Sequence, residues 1–499
     1  MKRIPWIAAA AVFLVHAAGN PHYGFFRDEL YFIICGFHPQ WGYVDQPPVV
    51  PLLAAGTQLF GHSLFLLRLV PALCAAAGTY VTCLLAVEFG GGAFAQVLAA
   101  LLFLFTPVLM SFGMKVVPDE IGLWSWPLIA LLAVRIVKGA DPRTWLLAGV
   151  VAGISIQSKY MAIFFLIALV GGFALTPQRR ILANRWFGVG AGVMLLIVLP
   201  NLLWQAANHF PMWELLRAGQ EGKNIIVGPV MYLAQQVLIT NLFLFAAWIV
   251  GLYRLLRIGE LRFLGYAYVI IIVEMMLLHG KYYYPADIYP ILLAAGAVQI
   301  DAWLRGRRLA QAAVLAYTFA FGLVFVPLVL PVLPVPQFLA YQSSLFSILH
   351  VPRSALATEH GRDVTPLPGD WADMHGWPQL AAAVKRIYDA LPPAQRAQAV
   401  VMASNYGEAS AIAFFAPSVP VVSGHNQYWL WGSRGYSGNV LIDVNGDCGA
   451  SIHAFAHAQL VERFSAPYTI GWETDAPIML CRGIRAPLAS YWPELKEYL

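Results

Sequence analysis

Long apolar segments fill the first two thirds of this chain. Hydrophobic residues make up 59% of its 499 residues and charged residues 11%, whereas soluble domains carry roughly 25% charged residues. A membrane-spanning helix needs about 20 apolar residues. The pattern predicts a multi-pass α-helical membrane protein with about eleven spans. The predicted segments are 4–20, 64–88, 93–112, 120–137, 145–157, 160–176, 187–204, 230–251, 263–279, 288–304 and 309–331.

Two of these segments are not straightforward membrane spans. A basic dipeptide followed by apolar residues 4–19 also fits a signal peptide, with VHAAG as its cleavage region. We expect a first span instead, because the stretch that follows needs an anchored helix before it. Segment 145–157 is too short to cross a bilayer alone. We expect it to form a tight helical pair with segment 160–176, and the two meet at Lys159.

The basic residues predict an orientation. If the N-terminus is cytoplasmic, the cytoplasmic loops receive fourteen Lys and Arg residues and the outer loops before residue 332 receive seven, as the positive-inside rule requires. An odd number of spans then places the chain after residue 332 outside the cytoplasm, with the spans in the cell (inner) membrane. The seven outer residues are Arg27, Arg68, Lys115, Lys159, Arg217, Lys223 and Lys281.

The composition changes at a proline-rich break near residue 331. We therefore divide the chain into a membrane domain, residues 1–331, and a C-terminal extracytoplasmic α/β domain, residues 332–499. Cys448 and Cys481 fall in the second domain, where they either pair in an oxidising exterior or stay as buried thiols. Strands are predicted at 398–404, 419–424, 439–444 and 476–481, and helices at 377–391, 407–415 and 453–464.

Three polar clusters interrupt the apolar chain. They are Asp28-Glu29, Asp119-Glu120 and the segment HGKYYYPADIYP at 279–290, and the predicted topology puts all three on the outer side. Ionisable groups in or beside a bilayer are costly, so they mark a functional site by default. We therefore expect the three clusters to line one cavity.

Each cluster also has a purely structural interpretation. Asp28 and Glu29 fit an interfacial helix cap or an ion pair with Arg27. Asp119 follows a proline and precedes an apolar run, which suits an N-cap. Lys281 stands before three tyrosines, as in an aromatic belt with a snorkelling lysine. A cap can also be a ligand or an acid/base group, so the structural and functional interpretations are compatible.

The same residue types suit acid–base chemistry on a phosphorylated substrate. One carboxylate of the Asp28-Glu29 pair can accept the proton of an attacking hydroxyl while the other holds a cation or a sugar hydroxyl. Lys281 can balance a phosphate. His279 fits either a metal ligand or a structural histidine. The sequence contains no Walker loop, no GxGxxG after a strand, no GxSxG, no HExxH and no basic stripe typical of nucleic-acid binding.

Four stretches together resemble a known family: RDELYF at 27–32, GYVDQPPVVPLLA at 42–54, VVPDEIGLWSWPL at 116–128 and GKYYYPADIYPILLAAGA at 280–297. They look like the GT-C glycosyltransferases, in particular bacterial membrane proteins related to dolichyl-phosphate-mannose protein mannosyltransferases and to the aminoarabinose transferase of lipid A. The resemblance implies transfer of a sugar, with inversion, from a polyprenyl-monophosphate donor in the membrane. The acceptor would be a hydroxyl of a protein, lipid or polysaccharide at the outer face.

The resemblance also implies roles for individual residues. Asp28 matches the family's acidic loop residue and is expected to be the general base, with Glu29 as its partner. Asp119 matches the second acidic position. Some GT-C branches use a divalent metal ion and others do not, so the metal stays open. Donor-phosphate binding is expected of Lys281, Tyr284 and Arg27, and the additional candidates are Glu120, His279 and Lys159.

Two other classes of protein remain as alternatives. A lipid or glycolipid transporter or flippase would also have many spans and a few buried charges, although the sequence shows no clear inverted repeat. A non-catalytic assembly or receptor protein would use the outer domain to bind a partner. The large outer domain is unusual for a simple carrier, and we favour the enzyme.

The orientation can be tested with a reporter fused after residue 499. We expect a reporter that is active only outside the cytoplasm to be active in this fusion, because the odd number of spans exports the tail. The same reporter fused in the basic loop after residue 138 is the control and is expected to be inactive. A C-terminal fusion that is active only in the cytoplasm would overturn the topology.

Overall fold

A computed structural model describes residues 2–220, 227–350 and 365–498; Lys223 of the outer loops lies outside these ranges. The described chain up to residue 350, which includes the membrane part and the first helix of the tail (residues 332–499), is mostly helical. Its helices are α1 (Ile4–Gly19), α2 (Arg27–Phe37), α3 (Val49–Thr57), α4 (Leu64–Glu88), α5 (Ala93–Leu104), α6 (Pro107–Phe112), α7 (Gly122–Val137), α8 (Thr144–Ser158), α9 (Met161–Ala174), α10 (Arg185–Ala207), α11 (Pro211–Ala218), α12 (Pro229–Ile239), α13 (Ala246–Arg257), α14 (Arg262–Leu277), α15 (Tyr289–Trp303), α16 (Arg308–Leu323), α17 (Val326–Val329) and α18 (Val335–Leu349).

Three spans in the described residues are long and apolar enough to cross a membrane: α4, α10 and the α16–α17 unit. A fourth becomes possible if α9 and the turn after it, which are bent by 119°, count as one span. The predicted segment 93–112 is broken between α5 and α6, where Pro107 lacks a backbone N–H and restricts Thr106. The count of about eleven spans is therefore not established by helix length.

The stretch from residue 22 to residue 51, expected as a loop, contains the helix α2 and the start of α3. Phe26 caps α2 with an extended backbone, and the side chain of Glu29 accepts its N–H at 2.8 Å. Asp28 and Glu29 thus lie in the first turn, where the helix dipole favours negative charge.

The tail forms a mixed five-stranded sheet in the order β2-β1-β3-β5-β4, flanked by helices. β1 pairs in parallel with β2 and β3, and β5 pairs antiparallel with β3 and β4. The elements are α19 (Gly369–Ala372), α20 (Trp377–Asp389), α21 (Pro393–Arg396), β1 (Ala399–Ala403), α22 (Tyr406–Phe415), β2 (Val421–Ser423), α23 (Asn426–Leu430), β3 (Val440–Val444), β4 (Phe455–Phe464), β5 (Ala476–Ile484) and α24 (Leu488–Tyr491).

The four predicted strands are present, but the helix predicted at 453–464 is wrong. Residues 455–464 form β4, which pairs with β5 as a largely exposed edge strand. The ladder with β5 supplies hydrogen bonds that local helical propensity does not anticipate. Cys448 and Cys481 form a disulfide that joins the loop after β3 to β5, so pairing is the alternative that the structure supports.

The tail packs directly on α2 and the loops near it in the membrane part. The buried face of α2, with Leu30 and Ile33, shares one apolar cluster with Trp377 of α20 and Ile412 of α22. Polar contacts continue this interface: the backbone N–H of Val44 donates to Oε1 of Gln427 at 3.0 Å. The end of the bundle that carries α2 is therefore covered by the α/β tail.

A buried ion pair fixes the start of α2. Arg68 of α4 donates from Nε to Oε1 of Glu29 and from Nη2 to Oε2, both at 3.0 Å, and neither side chain is exposed to solvent. The carboxylate also accepts the backbone N–H of Val116 at 3.1 Å. Arg68 donates in addition to the carbonyl oxygen of Gly24 at 2.7 Å. The pair therefore joins α2, α4 and the segment before α7 at one point.

Removing one partner of this pair should be costly. We expect Arg68→Met to lower the free energy of unfolding by about 3–5 kcal/mol, because it leaves a buried carboxylate without its cation. The measurement is thermal unfolding of the purified protein in detergent. Arg135→Met, which removes an exposed pair with Glu88, is the matched control and should cost only about 0–1 kcal/mol. Equal effects of the two substitutions would contradict the central role of the buried pair.

Candidate active site

Asp28 is the accessible carboxylate of the acidic pair. Its side chain is 28% exposed, and Oδ1 lies 2.7 Å from the hydroxyl of Tyr406 and 3.6 Å from Nε of Arg27. The neighbouring Glu29 is fully buried, and both of its oxygens are occupied by Arg68 and by backbone N–H groups. Of the two carboxylates, Asp28 is therefore the one that solvent reaches, and Glu29 is the residue that holds α2 in place.

Arg27, expected at the donor phosphate, faces the tail. Its guanidinium lies 3.7 Å from Oδ2 of Asp373 and stacks over the rings of Tyr406 and Trp472 at 5.3 and 5.7 Å from their centroids. Burial raises the pKa of Asp373 to about 7, and Arg27 opposes that rise. Arg27 therefore neutralises carboxylates at the junction of α2 and the tail.

A second group of charges lies beside α8 and α9. Nζ of Lys159 is 2.5 Å from Oδ1 of Asp119 and 4.9 Å from the ring centroid of Tyr284. Nζ of Lys159 and Nζ of Lys281 lie 5.4 and 5.9 Å from the ring centroid of Tyr283. The structure thus brings Asp119, Lys159, Lys281 and Tyr284 together around the ring of Tyr283.

The two remaining predicted candidates make none of these contacts, although Glu120 is close enough to Asp119 and Glu29 to interact with both electrostatically. Glu120 is fully buried, and neither of its oxygens has a hydrogen-bond partner in the described part of the chain. His279 ends α14 with a left-handed backbone and is exposed. Neither position brings the side chain into the Asp28 or Lys159 contacts described above.

The structure adds residues that sequence reasoning missed. Asp45 accepts the hydroxyl of Tyr31 at 2.9 Å, and the ring of Tyr31 packs 4.6 Å from the ring of Tyr406. Asp287 is buried close to Asp119 and Lys159. Asp45 and Asp287 both lie within stretches that carry the family resemblance. Their position in those stretches was the sequence signal that could have identified them. Tyr406 and Asp373 lie in the tail, within the segments NYGEASAIAFF and ADMHGW, for which the sequence predicted no role in the site.

Metal-ligating side chains do not converge at Asp28 within the described residues. Three such ligand atoms come together only at Asp443, Cys448 and Cys481, and the two cysteines there form the disulfide. The carboxylates of Asp28 and Asp45 have the oxygen ligands that a hard divalent cation prefers.

A third feature is an apolar groove of about 460 Å³ beside α8. It lies between α8, α9 and α10 and extends from Trp145 to Ile156, a rise of roughly 16 Å along α8. Lys159 follows Ile156 by less than one turn. At the same end, the hydroxyl of Tyr160 donates to Asn201 at 2.8 Å. The apolar groove therefore ends near the C-terminal end of α8, where Lys159 provides a positive charge.

The chain matches several solved structures of GT-C fold glycosyltransferases. ArnT from Cupriavidus metallidurans matches in its apo state with a TM-score of 0.59, 15% identity and coverage of 96% of this chain and 98% of that one. ArnT bound to undecaprenyl phosphate matches with a TM-score of 0.56, 15% identity and coverage of 95% and 97%. The arabinofuranosyltransferase AftD from Mycobacteria matches with a TM-score of 0.52, 13% identity and coverage of 97% of this chain and 40% of that one.

These matches define the class of the chain: it has the GT-C fold, with a mostly helical part followed by a small sheet. More particularly, residues 45–204 match the family model described as dolichyl-phosphate-mannose-protein mannosyltransferase. The resemblance expected from the sequence is thereby confirmed. No curated protein matches the chain in sequence.

Asp373 should make stability depend on pH. Its pKa is about 7 in the folded protein and about 3.9 in an unfolded chain, so the folded state holds one proton more between these values. The free energy of unfolding of the wild type should therefore fall as pH rises from about 4 to 7. Asp373→Asn should flatten this slope in thermal unfolding curves, whereas Asp389→Asn, at an exposed ion pair, is the control. An unchanged slope in Asp373→Asn would contradict the assignment.

Proposed function

We propose that this protein is a glycosyltransferase that moves a sugar from a polyprenyl-monophosphate donor to a hydroxyl acceptor on the outer face of the cell (inner) membrane, with inversion. The observation that carries the proposal is the arrangement at one end of the bundle: an accessible carboxylate, a lysine pair flanking tyrosines, and an apolar groove that ends at one of those lysines. The GT-C fold, and the undecaprenyl phosphate bound by ArnT, support a lipid-linked donor.

The donor would be held at two places. Its polyprenyl chain would lie in the groove between α8, α9 and α10, where apolar surface removed from water is stabilised. Its phosphate would meet Lys159 and Lys281, whose cations flank the ring of Tyr283. Asp119 would fix Lys159 through their 2.5 Å contact. The tyrosine hydroxyls, Tyr284 among them, are further donors for the phosphate oxygens.

Asp28 is the general base of the proposed reaction. Its carboxylate takes the proton of the acceptor hydroxyl while the acceptor oxygen forms a bond to the anomeric carbon. The bond between that carbon and the donor phosphate oxygen breaks, and the polyprenyl monophosphate leaves with the bonding electrons. The lysines offset the charge that develops on the leaving phosphate. Attack opposite to the leaving group accounts for inversion.

Within this proposal, residues 1–331 form the catalytic membrane domain with about eleven crossings, and residues 332–499 form the outer α/β domain. The disulfide between Cys448 and Cys481 supports an oxidising compartment for the tail. The contacts of the tail with α2 support placing both on the side where the acceptor is met.

Asp28→Asn tests the proposed function. We expect turnover of a polyprenyl phosphosugar by the purified protein to fall by about 100-fold or more, because the amide cannot accept the proton. Asp389→Asn, at the exposed ion pair on α20, should keep wild-type turnover. Near-normal turnover by Asp28→Asn would rule Asp28 out as the base. Envelope glycans or lipids of a deletion strain should lack one sugar; an untranslocated lipid intermediate that accumulates instead would support a flippase and overturn the proposal.

A further inference from the structure

The hydrogen-bond donor to Asp28 comes from the tail. The hydroxyl of Tyr406 lies 2.7 Å from Oδ1 of Asp28, and 378 residues of sequence separate the two. This distance is typical of a hydrogen bond from a hydroxyl to an ionised carboxylate. Oδ2 of Asp28 takes no hydrogen bond from any residue in the described ranges, so one oxygen is held and the other is left for a substrate.

Tyr406 is itself held from several sides. It is the first residue of α22, whose N-terminus is capped by the side chain of Asn405. Its ring packs against the rings of Tyr31 and His425, with centroids 4.6 and 4.8 Å away, and Arg27 lies 5.3 Å above it. Burial raises the pKa of the Tyr406 hydroxyl well above its usual range. The hydroxyl therefore stays protonated and donates a hydrogen bond to Asp28 from a fixed position.

Such a donor affects Asp28 in two ways. A hydrogen bond to the charged form of a carboxylate favours that form, and the base must be ionised before it can take a proton. Fixing Oδ1 also limits rotation of the carboxylate, so the orientation of Oδ2 is set before the acceptor arrives. Both effects act on the chemical step and not on the donor phosphate, whose proposed ligands are the lysines.

We propose that Tyr406 is a positioning residue of the active site, which holds Asp28 ionised and oriented toward the acceptor hydroxyl. The inference deepens the proposed function and rests on it. It assigns the α/β tail a direct part in the reaction, because the membrane part alone lacks this donor.

Other charged groups around Asp28 have to be separated from Tyr406 in a pH experiment. Arg27 on the same helix favours the ionised carboxylate, and Asp373, after α19, opposes it when charged. Glu473 faces Arg27 from the tail, and Asp45 faces Tyr406 beyond the ring of Tyr31. Asp373 titrates near neutral pH, so each profile should also be measured in an Asp373→Asn background.

The test is Tyr406→Phe, which removes the hydroxyl and keeps the ring. We expect kcat to fall about ten-fold with the KM for the polyprenyl phosphosugar within about two-fold of wild type. We also expect the acidic limb of the kcat/KM profile to move to higher pH, since a donor to the ionised carboxylate is lost. A residue that only supports the fold would move neither the limb nor the ratio of kcat to KM.

The matched control is Tyr428→Phe, which removes another buried tyrosine hydroxyl of the tail, bonded to Ser410 at 3.1 Å. It should leave the profile unchanged, and thermal unfolding should show both variants folded. If Tyr406→Phe does not fold, Tyr406→Met, which also lacks the hydroxyl donor, should show the same shifted limb and the same fall in kcat. If the wild type is active and its kcat/KM pH profile superimposes on that of folded Tyr406→Phe, the inference about Tyr406 is overturned and the proposed function is not. A wild type that transfers no sugar would overturn the proposed function as well.

Discussion

The ion pair between Glu29 and Arg68 is the constraint on which the outer end of this protein depends. Two charges without solvent exposure are stable only if every donor and acceptor is matched, and here backbone groups of two segments, one before α2 and one before α7, complete the match. Successive residues on a helix point about 100° apart. Once Glu29 is locked inward, the preceding Asp28 has to turn toward the tail, so burial of one carboxylate sets the accessibility of the other.

Chemistry at this end divides between two environments. The lysines lie against aromatic rings beside an apolar groove, where a cation keeps its charge and an isoprenoid chain avoids water. The carboxylate lies instead at a polar junction with the tail, where Tyr406 and Arg27 favour its charged form. A lipid phosphate and a hydroxylated acceptor can thus approach from different sides without sharing ligands.

Many helix limits and several candidate site residues could be predicted from the sequence, and the physical reason differs from one to the next. The limits of α4, residues 64–88, follow from apolar length alone, and Asp28, Asp119 and Lys281 stand out because charge is rare in such a chain. The partner of Glu29 did not stand out, since Arg68 lies inside an apolar run. Tyr406 and β4 were missed because their roles come from contacts with distant residues, which local patterns do not encode.

The 378-residue separation between Asp28 and Tyr406 has a consequence for how the protein is made. Asp28 is synthesised early, whereas its hydrogen-bond donor follows near the end of the chain. The disulfide between Cys448 and Cys481 joins parts of the sheet that are made later still. A ribosome that stops before the tail leaves a chain without this hydrogen bond, so translation has to reach the tail before the junction with α2 can form.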